Sequence, residues 1–266
     1  MNRLKKMFQI AQNQREKLLS IFVTAGYPKL DSTPELVWTF EKAGANFVEI
    51  GVPFSDPIAD GPTIQKASQI ALKNGMNLSI VLNQVQMVRQ QSQIPIILMG
   101  YVNPLLNYGL EKFIKDAEEA GVDGLIIPDL IPEEFLNYKD LFKGSNLGIN
   151  FLISPNTPTK RIKFIDNLTC DFIYCVSVTG VTGCRKGVTQ GLVDYLQSIR
   201  KLINHPFLVG FGVSNPKDAR DIARYCHGVI IGSAIINLIR KYTAYMDMLE
   251  AVCHFGQEVK SALKGV

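Results

Sequence analysis

The sequence predicts one α/β domain over residues 1–266, a (β/α)8 TIM barrel with an extra N-terminal helix and additional helical segments. Short apolar runs alternate with stretches of helical periodicity along the whole chain. The runs are continuously apolar, which is typical of parallel strands that are covered on both faces. No linker of biased composition divides the chain, and its 47% hydrophobic content is enough for a sizeable core.

Eight apolar runs predict the strands. They cover residues 19–24, 47–51, 94–100, 124–128, 148–153, 172–176, 206–210 and 228–232. Eight βα units in about 250 residues fit a barrel. A doubly wound open sheet is the alternative fold. The glycine-rich dinucleotide fingerprint expected after the first strand of such a sheet is absent, since residues 25–28 read Ala-Gly-Tyr-Pro there.

Helical spacing fills the segments between the runs. Thr33-Pro34-Glu35 predicts a helix cap, a proline at the first helical position and an acidic first turn, and Gly44 is expected to end that helix. Asn215-Pro216 opens another helix in the same way. Two more helical segments, residues 4–17 and about 243–263, lie outside the βα pattern.

Composition excludes several classes of protein. The net charge of +4 is mild and gives little support to nucleic-acid binding. The longest apolar stretch, residues 229–236, is far short of the roughly 20 residues that span a bilayer. The five cysteines form no CxxC pair, and the N-terminus lacks an apolar secretory segment. A reducing compartment is therefore expected: the cytoplasm, or a plastid stroma if the gene is plastid-encoded.

Glu49 is a carboxylate inside the apolar run 47–51. Strand alternation points it away from Val48 and Ile50, and hence into the barrel mouth if those two pack against helices. Burial there would raise its pKa, which suits a general acid/base near neutral pH. The alternative is a structural ion pair with a Lys or Arg distant in sequence.

The loop of residues 52–62 follows this strand and carries Asp56 and Asp60. Asp60 precedes a helix that is expected to start at Pro62, so it is either a functional carboxylate or a simple cap. A metal site is the weaker option, because no histidine lies in a strand-end loop. His205, His227 and His254 lie before strands or in the last helix, which leaves proton transfer to carboxylates, Tyr or Lys.

Three later loops, residues 177–185, 210–214 and 232–234, are rich in glycine. Glycine lets backbone N–H groups approach an anion, and barrels often bind a substrate phosphate in this region. The residues alone thus predict a barrel enzyme that uses carboxylate acid/base chemistry on a small phosphorylated substrate, with no cofactor evident.

Five motifs at these places resemble the tryptophan synthase alpha chain family. They occupy residues 49–65, 100–104, 128–130, 178–183 and 210–213. The resemblance runs in the same order from about residue 18 to the end of the chain. It implies a lyase that cleaves indole-3-glycerol phosphate to indole and glyceraldehyde 3-phosphate.

The resemblance also implies roles for single residues. Glu49 matches the general acid/base, which protonates the indole carbon and accepts the glycerol hydroxyl proton, and Asp60 matches the carboxylate that binds the indole N–H. Thr182 lies in a loop that closes over the site. The remaining substrate-binding positions are the apolar Phe22, Met99 and Phe211, the tyrosines Tyr101 and Tyr174, and the phosphate-binding Gly183, Gly212, Gly232 and Ser233.

The family works as a tetramer of two alpha and two beta chains, in which indole passes to pyridoxal phosphate on the beta chain. No cofactor is therefore expected on this chain, and no metal. The resemblance places part of the interface on residues 53–56 and 103–104. Two alternatives remain open: a stand-alone lyase that releases free indole, and a barrel that has lost catalysis and only activates its partner.

Overall fold

The computed structural model describes residues 2–176, 188–210 and 212–266. Within them, nine strands form one parallel sheet in the order β5-β4-β3-β2-β1-β9-β8-β7-β6. The strands are β1 Leu18–Thr24, β2 Phe47–Gly51, β3 Ile96–Met99, β4 Gly124–Ile126, β5 Gly148–Ile149, β6 Leu152–Ile153, β7 Ile173–Val176, β8 Phe207–Gly210 and β9 Gly228–Ile231. Strand and helix alternate as predicted, so the α/β barrel fold is confirmed.

Helices precede, follow or connect the strands, except that β5 leads directly into β6. They are α1 Arg3–Gln14, α2 Ser32–Lys42, α3 Pro62–Lys73, α4 Leu78–Arg89, α5 Val102–Tyr108, α6 Leu110–Ala120, α7 Pro132–Tyr138, α8 Thr159–Leu168, α9 Gln190–Leu202, α10 Pro216–Ala223, α11 Ser233–Ile239 and α12 Tyr245–Ala262. A 3-10 turn, Lys139–Phe142, follows α7. In the described part of the chain, no helix is both long and apolar enough to cross a membrane.

The run predicted as one strand over residues 148–153 is two short strands. β5 pairs with β4 and β6 pairs with β7. Between them, the N–H of Asn150 donates to Leu125 O at 2.9 Å, and Phe151 O accepts from the N–H of Tyr174 at 2.9 Å. The run changes partner at its centre and bonds to both neighbouring strands, so the ring closes as an eight-position barrel.

Two details of the helices differ from the sequence prediction. Thr33 is not a cap: α2 begins at Ser32, and Thr33 is buried with its Oγ1 accepting the N–H of Gly26 at 3.1 Å. Helix α5 was not predicted. Its first N–H, from Val102, donates to Oδ1 of Asp129 at 3.0 Å, a long-range cap that no local pattern signals.

Pro34 is consequently the third residue of α2 and not the first. The signals at Gly44 and Asn215 are confirmed. Gly44 follows α2 with a φ of +93°, a conformation that glycine adopts without strain. The side chain of Asn215 caps α10 by accepting the N–H of Asp218 at 2.9 Å.

Alternate residues of the strands pack into two separate cores. On β1, Ile21 and Val23 belong to the outer core between sheet and helices. Phe22 belongs instead to an inner core inside the barrel, together with Ile97, Met99, Ile126, Leu208 and Ile230. The barrel interior is therefore filled by hydrocarbon, and any polar side chain that points inward is removed from water.

Helix α1 lies across the N-terminal end of the barrel. The ring of Phe8 stacks on Phe172 at 5.5 Å between centroids and tilts against Phe47 at 6.2 Å. Asp123, which precedes β4, accepts hydrogen bonds at 2.9 Å from Arg3 of α1, from Arg89 of α4 and from the N–H of Ile96. These contacts fix α1 at one end of the barrel and leave the carboxyl ends of the strands at the other.

Replacing Asp123 with alanine is expected to lower the free energy of unfolding by about 3 kcal/mol, because Arg89, only 10% exposed, loses its carboxylate partner. Urea denaturation measures the change. The matched control is Glu119→Ala, whose pair with Lys115 spans 3.9 Å between largely exposed side chains and is expected to contribute less than about 1 kcal/mol. Equal losses in the two variants would contradict the assignment of a buried ionic network.

Candidate active site

Glu49 lies in the middle of β2 with its side chain inside the barrel. It is 0% exposed and stands in register between Phe22 on β1 and Ile97 on β3, both inner-core residues. Its neighbours Val48 and Ile50 pack in the outer core. The predicted orientation, opposite to these two residues, is confirmed.

The surroundings of Glu49 favour the protonated acid. Oε1 accepts a hydrogen bond from Oγ of Ser20 at 3.0 Å, and Oε2 has no hydrogen-bond partner in the described part of the chain. Burial raises the pKa of Glu49 to about 8, and the Ser20 hydrogen bond lowers it only in part. No Lys or Arg among the described residues pairs with this carboxyl group. The alternative interpretation of Glu49, a structural ion pair with a distant Lys or Arg, is therefore not supported by the described residues.

Asp60 lies in the loop between β2 and α3. The N-cap of α3 is Gly61 and no side chain caps this helix, so Asp60 is not a simple cap. Its carboxyl group interacts instead with the hydroxyl of Tyr101, which also accepts the N–H of Ala59 at 3.1 Å. Burial raises the pKa of Asp60 to about 6, and the Tyr101 hydrogen bond works against this rise.

Tyr174 on β7 brings these two carboxyl groups into one site. Its ring is buried in the inner core, and burial raises its pKa first, followed by the nearby charges of Glu49 and Asp60. The ring occupies space that Gly210 on β8 leaves open. An ideal Cβ built on Gly210 would lie 2.0 Å from the Tyr174 hydroxyl oxygen.

Apolar side chains line the same interior. Phe22 and Met99 are buried there, and Ile64 reaches the same core from α3. The tip of the Phe22 ring lies against Gly51, where an ideal Cβ would be 2.4 Å from Cζ. The interior that holds Glu49 is therefore lined by an aromatic ring, a thioether and aliphatic side chains, which favour contact with an apolar group.

The glycine loops are described only in part. Gly212 follows β8 with a φ of +81°, and Gly232 and Ser233 stand at the start of α11. An ideal Cβ on Gly232 would lie 3.4 Å from Cβ of Phe22, so this loop borders the inner core at Phe22. Three predicted site residues, Thr182, Gly183 and Phe211, lie outside the described residues.

The histidines are placed as the sequence predicted. His205 lies just before β8 and pairs with Asp166 at 2.9 Å. His227 lies just before β9, and its Nδ1 accepts the N–H of Phe207 at 3.1 Å. In the ranges that the structure describes, no group of three or more His, Cys, Asp or Glu side chains could hold a metal ion.

Ser20 was not among the predicted site residues. A polar residue within the apolar run 19–24, it carries the same signal that singled out Glu49. The tilted contact between the rings of Phe54 and Tyr101, with centroids 5.4 Å apart, was also missed, because it joins residues from two different loops.

Comparison with known proteins identifies the family. A sequence model of the tryptophan synthase alpha chain matches residues 8–264. The chain belongs to the tryptophan synthase alpha chain family. It is therefore an alpha subunit of tryptophan synthase, a lyase that acts in tryptophan biosynthesis, and family membership implies partnership with a beta chain.

Individual relatives agree over the full length. The alpha chain of Geotalea uraniireducens is 43% identical over 266 residues, which cover 100% of this chain and 99% of that one, and the alpha chain of Geotalea daltonii is 45% identical over 243 residues, 91% and 92% of the two chains. The solved alpha subunit from Legionella pneumophila superposes with a TM-score of 0.91 at 34% identity and covers 100% of both chains. A chain of tryptophan synthase from M. tuberculosis, in an aminoacrylate-bound form, gives 0.87 at 27% identity, covering 99% of this chain and 100% of that one.

Gly210→Ala is expected to lower the free energy of unfolding by about 1–3 kcal/mol, because the new methyl group overlaps the Tyr174 hydroxyl and forces the ring out of place. Urea denaturation measures this loss. In Gly191→Ala the new Cβ meets nothing within 4 Å, so that control is expected to be neutral or slightly stabilising. An unchanged free energy of unfolding in Gly210→Ala would show that the position of the Tyr174 ring does not require a glycine at residue 210.

Proposed function

We propose that this alpha chain cleaves indole-3-glycerol phosphate to indole and glyceraldehyde 3-phosphate. The observation that carries the proposal is a pair of carboxyl groups, Glu49 and Asp60, in an apolar interior, with pKa values raised to about 8 and about 6. Between these values one group is an acid and the other a carboxylate. That is the division of roles a retro-aldol cleavage of an indole needs.

The chemistry follows from these two protonation states. Glu49 gives its proton to the ring carbon that carries the glycerol chain, and the ring becomes positively charged. Asp60, as a carboxylate, accepts the indole N–H and stabilises that charge. Glu49 then takes the proton of the hydroxyl on the adjacent chain carbon while the carbon–carbon bond breaks. The bonding electrons return to the ring, and the acid is regenerated.

The other site residues are proposed from the family resemblance. Phe22 and Met99 flank the indole ring. Tyr101 lies beside Asp60, and Tyr174 lies near both Glu49 and Asp60. The phosphate group is expected against the backbone of the loops that hold Gly212, Gly232 and Ser233. Thr182, Gly183 and Phe211 complete the proposed site from outside the described residues.

The first test is the pH dependence of indole formation. We expect kcat/KM to rise through about pH 6, where Asp60 ionises, and to fall above about pH 8, where Glu49 loses its proton. Glu49→Gln is expected to reduce indole formation by roughly 10²–10⁴-fold while the fold persists. Glu41→Gln makes the same chemical change on the exposed face of α2 and should retain full activity. Turnover in Glu49→Gln close to that of the unaltered chain would rule out the catalytic assignment.

We further propose that a beta chain docks on the mouth of the barrel beside the site, in a tetramer of two alpha and two beta chains. Exposed apolar side chains on the segments after the adjacent strands β2, β3 and β4 include Ile58, Leu106, Ile131 and Leu136. Ile58 is 82% exposed, and solvent-facing apolar groups of this kind are typical of a protein interface.

This interface predicts that a beta chain accelerates the lyase reaction. Ile131→Asp should raise the beta-chain concentration for half-maximal activation by roughly 10-fold or more, since a charge would be buried on docking. Ile10→Asp, at a residue of similar exposure on α1 at the far end of the barrel, should not. Indole release by purified chain, titrated with beta chain, measures both. High rates that are unchanged by the beta chain would favour a stand-alone lyase that frees its indole.

We infer that no cofactor takes part in the alpha reaction, because the side chains of Glu49 and Asp60 supply both the acid and the charge stabilisation. We also infer a cytoplasmic location. The curated relatives are bacterial biosynthetic proteins, and the four cysteines in the described ranges are free thiols.

A further inference from the structure

We infer that Ser20 is a positioning residue for the lyase reaction: its hydroxyl holds Oε1 of Glu49 and thereby leaves Oε2 as the oxygen that carries the transferable proton. The inference rests on the proposed role of Glu49 as the acid. It concerns a residue of β1 that does not itself touch the substrate pocket.

The register of the strands places Ser20 below Glu49. Ser20 pairs with Phe47 and Glu49 pairs with Phe22, so Ser20 stands one two-residue repeat, about 7 Å, nearer the N-terminal end of the barrel. It shares the inward face of β1 with Phe22 and is 0% exposed. The contact of 3.0 Å between Oγ and Oε1 therefore draws one carboxyl oxygen toward the closed end of the barrel.

The hydroxyl of Ser20 fixes where the acid proton resides. A serine hydroxyl has one proton to donate, and here it goes to Oε1. A protonated carboxyl group whose Oε1 is an acceptor carries its own proton on Oε2. This oxygen has no hydrogen-bond partner in the described part of the chain, so no neighbour there competes for the proton.

Among the described residues, the titratable side chains near Glu49 are Tyr174 from β7 and Asp60 from the loop before α3. The pKa of Tyr174 is raised first by burial and then by the charges of Glu49 and Asp60. For Glu49 itself, the hydrogen bond from Ser20 favours the carboxylate form and so limits the pKa rise that burial causes. When Oε2 releases its proton, the Ser20 hydrogen bond becomes charge-assisted and strengthens. The stronger hydrogen bond stabilises the carboxylate that forms in the transition state, so it should affect kcat more than KM.

The test compares Ser20→Ala, Ser20→Thr and Ser68→Ala, which removes a buried hydroxyl from α3 as a control. In Ser20→Ala, proton affinity at Glu49 should rise roughly 3- to 10-fold, the size of one hydrogen bond, which moves the alkaline limb of the kcat/KM profile to higher pH. The value of kcat should fall by a similar factor while KM stays unchanged. Ser20→Thr keeps the hydroxyl and should restore the profile, and Ser68→Ala should match the unaltered chain.

A second measurement does not depend on activity. The carbonyl stretch of the protonated Glu49 acid, isolated in infrared difference spectra against Glu49→Gln, should titrate at higher pH in Ser20→Ala than in the unaltered chain. Identical titrations would overturn the inference about Ser20. If instead Glu49→Gln still forms indole while the infrared titration shifts, the proposed function fails and the Ser20–Glu49 coupling stands.

Discussion

The removal of Glu49 from water is the constraint on which the site depends. A carboxyl group inside a hydrocarbon-filled barrel, with one hydroxyl as its described partner, keeps its proton to about pH 8. The fold is weakened as a result. In the unfolded chain the same carboxyl group loses its proton above about pH 4.5. The free energy of unfolding therefore falls as the pH rises from about 4.5 to about 8, and the loss is on the order of 3 kcal/mol at pH 7. The same burial of Glu49 makes an acid available at neutral pH.

Buried carboxyl groups at the two ends of the barrel have different hydrogen-bond partners. At the N-terminal end, two arginines neutralise Asp123. Burial there acts to raise the pKa of Asp166, but hydrogen bonds from the backbone and from His205 outweigh it and lower the pKa. Toward the mouth, Glu49 and Asp60 receive only hydroxyl groups in the described residues, and both pKa values rise. Asp171, just before β7, differs from Asp123 and Asp166, because burial raises its pKa to about 6. Among the described residues, Asp123 thus has two arginine partners, whereas Glu49 and Asp60 have hydroxyl partners only.

Local patterns predict the barrel because each βα unit carries its own apolar run followed by helical periodicity. Glu49 was predictable for the same reason, as a break in such a run. The features that were missed join distant segments. The cap of α5 comes from Asp129, the partner of Glu49 is Ser20, and that of Asp60 is Tyr101. The register between β1 and β2 that aligns Ser20 below Glu49 exists only once the sheet has formed.

The aromatic side chains inside the barrel can pack there only because glycines stand opposite them on the neighbouring strands. The inside of an eight-position barrel has a fixed volume, filled from all strands at once. Phe22 and Tyr174 place rings over the neighbouring strands exactly where Gly51 and Gly210 have no side chain. A methyl group at either glycine displaces a ring, and a smaller residue at either ring opens a cavity. The apolar walls around Glu49, and with them its desolvation, therefore depend on side chains that are absent as much as on those that are present.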